Sequence, residues 1–86
     1  MKVVVLYRPN SEHAGKVLDF ASEYKRLKNR DLELKSLDTV EGDNMAKVYD
    51  IVQYPAYLAI KDDGQLEQMW QGDQVPLINE LDYYLT

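Results

Sequence analysis

The sequence predicts an α/β domain in the order βαβαββα, a small mixed four-stranded sheet flanked by helices. Three observations carry this. Val3 to Tyr7 is an unbroken apolar, largely β-branched run; the stretch from Ser11 to Lys28 repeats apolar residues at helical spacing; and Asp62-Asp63-Gly64 separates two strand-like segments.

The first run is too short for a helix and suits a central strand buried on both faces, ended by Pro9 and Asn10. Next, Ala14, Val17, Leu18, Ala21, Tyr24 and Leu27 mark the inward face of a helix over 11–28, with Ser11 or Asn10 placed to cap it. Lys25, Arg26, Lys28 and Arg30 gather at its end, where cations complement the negative pole of the helix. Leu32, Leu34 and Leu37 fit a short second strand. Asp43 then caps a short helix with Met45, Val48 and Tyr49 on one face. Ala56 to Ile60 and Leu66 to Trp70 form a β-hairpin around Asp62-Asp63-Gly64. Gly72-Asp73 opens the last helix, which turns Leu77, Ile78, Leu81 and Leu85 inward; Pro76 is tolerated in a first turn, whose amides have no intrahelical acceptor. A right-handed βαβ unit makes the first two strands parallel, and the hairpin adds two antiparallel ones.

Composition narrows function by exclusion. The 86 residues carry a formal net charge of −5, with 45% hydrophobic and 29% charged residues, and suit one domain spanning 1–86. Zero cysteines remove thiol–disulfide exchange, thiolate nucleophiles and iron–sulfur chemistry. The acidic balance lacks the clustered Lys and Arg that phosphate neutralisation needs, so nucleic acid is not expected as a partner. No run approaches a membrane span or a secretory apolar segment; the expectation is a cytoplasmic protein with no membrane partner. Gly15, Gly42, Gly64 and Gly72 form neither a phosphate loop nor a dinucleotide fingerprint. Glu12, Asp38, Glu41 and Asp43 lack the spacing of a Ca²⁺ loop, and the single histidine, His13, has no second one for zinc. No metal and no cofactor is expected.

The element order, Tyr54-Pro55-Ala56 before the third strand, Asp63-Gly64 in the hairpin and Trp70-Gln71-Gly72 after it resemble the thioredoxin/glutaredoxin superfamily over nearly the whole chain. In that family the loop after the first strand carries Cys-x-x-Cys. Here Arg8-Pro9-Asn10-Ser11-Glu12-His13-Ala14 stands in its place, with Ser11 and Ala14 matching the two cysteines, so a dithiol mechanism is excluded. The resemblance implies that Pro55 is a cis-proline facing this loop, with Tyr54 beside Ser11.

The site the resemblance implies comprises Tyr7, Arg8, Pro9, Asn10, Ser11, His13, Tyr54 and Pro55, as a docking surface for a protein or peptide; none is assigned a catalytic role. The alternative is a glutathione-binding, transferase-like protein in which Ser11 or Tyr7 hydrogen-bonds the thiol. A second one rests on Pro9-Asn10-Ser11, similar to the Pro-x-Ser of the KaiB clock-protein family, which works by binding partners. Plainer readings stand beside these: Ser11 as a helix cap, His13 as a solvated side chain, and the seven tyrosines as core. Tyr7, Tyr54, Tyr57 and Trp70 would form an aromatic groove if they converge, and Tyr83-Tyr84 would suit an interface.

Overall fold

A computed structural model describes residues 1–85. Its elements are β1 (Lys2–Tyr7), α1 (Ala14–Lys28), β2 (Glu33–Ser36), α2 (Val40–Val48), β3 (Ala56–Ile60), β4 (Leu66–Gln71) and α3 (Ile78–Leu85). The sheet runs β2-β1-β3-β4: β1 pairs parallel with β2 and antiparallel with β3, and β3 pairs antiparallel with β4. This is the mixed four-stranded sheet the sequence predicts.

Residue alternation along the central strands splits the core in two. Val3 and Val5 of β1 with Tyr57 and Ala59 of β3 meet Val17 and Tyr24 of α1 and Leu81 of α3 on one face. Val4 and Leu6 with Ala56, Leu58 and Ile60 meet Leu37, Ala46 of α2 and Ile51 on the other. β1 and β3 are buried on both faces because helices lie on both sides of the sheet, which explains their continuous apolar runs. Tyr24 and Asp82 tie α1 to α3 through a hydrogen bond of 3.0 Å from the phenol to the carboxylate. Among the described residues no helix is long and apolar enough to cross a membrane.

Several boundaries differ from the sequence expectation. α1 begins at Ala14, and its N-cap is His13 with no side-chain cap bond. Ser11 is outside the helix because its hydroxyl and amide both bond the Arg8 carbonyl, at 2.6 and 3.2 Å, closing a turn that delays helix entry. Leu18 and Leu27 are about half exposed, at 50% and 51%, while Phe20 takes the inward stripe. Thr39, not Asp43, caps α2: its hydroxyl accepts the Gly42 N–H at 3.0 Å, and Asp43 instead pairs with Lys47. In this helix Ala46 is buried against the sheet, and Val48 is 75% exposed. α3 starts at Ile78 rather than Gly72. Pro76 is buried ahead of it, Leu77 is 69% exposed, and the Leu77 amide donates to Glu80 Oε1 at 2.9 Å.

The hairpin turns as its residues dictate. Gly64 takes φ +90°, the Gly64 amide donates to the Lys61 carbonyl at 2.9 Å, and the Gln65 amide donates to Asp63 Oδ1 at 3.0 Å. Lys25 and Arg26 in the last turn of α1 pair with Asp31 and Glu23, and the Arg30 guanidinium reaches the Leu85 carbonyl.

Candidate functional site

Three segments meet at the end of the sheet where β1 stops. The first is the loop of Arg8 to His13 leading into α1. Tyr7 closes β1, partly buried against the α1/α3 core. Arg8, Pro9 and Asn10 are exposed; the Arg8 guanidinium lies 3.4 Å from Asp38. The Arg8 amide donates to His13 Nε2 at 3.1 Å, so the imidazole is held by the backbone of its own loop. With Nε2 accepting, the neutral ring carries its proton on Nδ1. Partial burial, and then the charge of Arg8, hold the His13 pKa below its ordinary 6.5.

The second segment carries Tyr54 and Pro55, joined by a cis peptide bond. The Tyr54 hydroxyl donates to the Ile51 carbonyl at 3.1 Å, so the phenol braces its own loop. The third is the exit of β4, where Gly72 adopts φ +67° and its amide donates to the Pro55 carbonyl at 3.0 Å. A Cβ at Gly72 would lie 2.4 Å from Gln53 Oε1, the movable end of that side chain, so it is chiefly the positive φ that calls for glycine here.

Between these segments lies a cleft of about 310 Å³. His13, Lys16, Val17 and Phe20 come from the start of α1, Tyr54, Pro55 and Tyr57 from the proline loop and β3, and Gly72, Asp73 and Val75 from the chain after β4. Its floor is apolar and aromatic, with the Phe20 and Tyr57 rings edge to face at 5.2 Å. Tyr57 is only 2% exposed, and burial pushes its phenol up to about 12. Among the described residues its hydroxyl has no hydrogen-bond partner, and the side chain lines the cleft.

Of the eight residues expected at the site, His13, Tyr54 and Pro55 line the cleft. Tyr7, the last residue of β1, and Arg8, Pro9, Asn10 and Ser11 of the adjoining loop do not. Tyr54 and Pro55 share the cleft with His13, and Ser11 is not among its lining residues. The single proton of the Ser11 hydroxyl is given to the Arg8 carbonyl, which leaves it no donor for a thiol in this arrangement. The aromatic groove is smaller than expected: Tyr54 and Tyr57 line it, whereas Trp70 packs on Tyr84 at 5.7 Å. Sequence reading missed Lys16, Phe20, Asp73 and Val75. Phe20 lies four residues before Tyr24 and three after Val17 at helical spacing, a signal that was present. Asp73 and Val75 carry no such signal, because an irregular segment brings them.

Among the described residues no group of three or more His, Asp or Glu side chains is arranged to hold a metal ion. Comparison with protein-family models, with curated proteins and with solved structures finds no match to the chain.

Proposed function

We propose that this chain is a redox-inactive, thioredoxin-like domain that works as a protein- or peptide-binding module. The observation that carries the reading is the cleft itself: the start of α1, the Tyr54-Pro55 loop and the Gly72–Val75 segment border one apolar, aromatic depression. Support for the fold reading comes from the strand order β2-β1-β3-β4 with a parallel β1–β2 pair and an antiparallel hairpin, which is similar to that superfamily's arrangement. Ser11 and Ala14 stand where the reactive cysteines would be, so the surface that would have presented sulfur is left with binding chemistry alone.

A cleft with aromatic walls, an apolar floor and polar groups at its edges suits side chains of an extended segment. The test is an amide-resolved NMR titration of the full chain with pools of short peptides capped at both ends. Saturable shifts confined to His13–Phe20, Tyr54–Tyr57 and Gly72–Val75 are expected. Shifts scattered over the surface, or none at millimolar peptide, would overturn the reading.

A further inference from the structure

The cleft is apolar along its floor and cationic at one wall. Lys16 lines it and makes no ion pair among the described residues, although nine of the other basic groups, counting the N-terminus, do. Lys16 sits in the first turn of α1, where the leading N–H groups have no intrahelical acceptor and form the positive pole of the helix. No side chain caps this end and no acidic residue occupies its first turn. The Ala14 amide donates to the Ser11 carbonyl at 3.2 Å, and no side-chain charge offsets the pole.

A second observation is independent of the helix. Tyr57, on β3, is 2% exposed, yet among the described residues its hydroxyl has no partner, and its side chain lines the same cleft. The ring is buried but the hydroxyl keeps contact with solvent, so its proton is free to be given to a ligand in the cleft. An ammonium, a helix start and a phenol donor around an apolar floor of Val17, Phe20, Pro55 and Val75 define the complementary ligand: a carboxylate attached to an apolar side chain.

Resting on the docking reading above, we propose that the cleft binds the C-terminal end of a peptide, with its carboxylate at Lys16 and Tyr57 and an apolar final side chain on the floor. The one carboxylate lining the cleft, Asp73, suits the amide N–H donors that precede a chain end. The net charge of −5 works against a general attraction for anions, so recognition is local to the terminus rather than a response to overall acidity.

The experiment titrates the ¹⁵N-labelled full chain with a short Gly/Ser peptide ending in Phe, as the free acid and as the C-terminal amide, and separately with phenylacetate. The free acid is expected to give saturable shifts at Lys16, Val17, Tyr57 and Val75 and to bind about tenfold more tightly than the amide, the scale of one charge-assisted contact. Lys16→Gln, a substitution at an exposed position, is expected to abolish the preference for the acid, bringing its affinity down to that of the amide. Equal binding of acid and amide, or a preference that survives Lys16→Gln, overturns this inference and leaves the docking reading standing. Phenylacetate binding as tightly as the peptide also overturns it, in favour of a small-acid site. If neither peptide nor the capped pools shift the cleft, both readings fall.

Discussion

The Arg8 backbone N–H donates to His13 Nε2 across 3.1 Å, so the last loop residue before α1 is held by the first residue after β1. That bond exists only while Nε2 is unprotonated. The lowered His13 pKa, caused first by burial and then by Arg8, is the electrostatic counterpart of the same geometry.

His13 therefore titrates below 6.5, and the Arg8 amide resonance moves with it. Because the folded-state pKa is depressed, the folded protein resists a proton that the unfolded chain accepts. The stabilisation is fully present above pH 6.5 and is lost as pH falls through the folded value. Paired titrations of the His13 ring and Arg8 amide check this; a His13 midpoint above 6.5 contradicts it. His13→Ala removes this component of the pH dependence.

Tyr24→Phe deletes the phenol that α1 gives to Asp82 of α3. A loss of about 1 kcal/mol in denaturant unfolding is expected, the scale of one hydrogen bond, since Lys28 still lies 3.8 Å from Asp82. In the wild type, burial and then Asp82 push the Tyr24 phenol up to about 12. Its contribution is complete below pH 10 and is lost as pH rises through that higher value, which phenolate absorbance monitors.

Four glycine-to-alanine variants separate three physical causes. At Gly42 a Cβ would lie 2.0 Å from the Ser36 carbonyl oxygen, so Gly42→Ala is expected to cost about 3 kcal/mol by forcing α2 off β2. At Gly64 there is open space but φ is +90°, and Gly64→Ala costs about 1–2 kcal/mol from backbone conformation alone. Gly72→Ala meets both penalties, φ +67° and Gln53, and is expected to disturb the Pro55 amide environment as well. At Gly15, in the first turn of α1 with nothing near, Gly15→Ala stabilises by up to about 0.5 kcal/mol. Chemical denaturation of the set ranks them; a Gly42→Ala variant as stable as Gly15→Ala contradicts the close approach of α2 to β2.

Leu81→Ala tests whether α3 holds the core face that carries the cleft. Leu81 is fully buried against the β1, β3 and α1 side chains, and its truncation is expected to cost about 2–5 kcal/mol. A smaller loss would show that α3 is loosely docked.

The strands and their order of appearance were legible because their signals are local. Val3-Val4-Val5-Leu6 and Ala56-Tyr57-Leu58-Ala59-Ile60 can be buried only between two layers, and Asp63-Gly64 names its own turn. Helix starts were less legible. Ser11 and Thr39 are chemically similar, yet one closes a turn on Arg8 and the other caps α2. Which role a hydroxyl takes depends on where the next carbonyl lies, and Gly72 and Pro76 read as helix-opening residues until Gly72 is placed beside Pro55.

Composition and order alone settled the absence of cysteine chemistry, the alternation of strands and helices, and the turn residues of the hairpin, since each depends on residue type or on neighbours a few positions away. Which side chains share the cleft depends on distances between segments far apart in the chain: Lys16 with Val75, Tyr57 with His13, Pro55 with Gly72. The packing of α1 and the Gly72–Val75 segment around the end of the sheet brings these together. Periodicity marks which face of an element is apolar, but not what that face will meet.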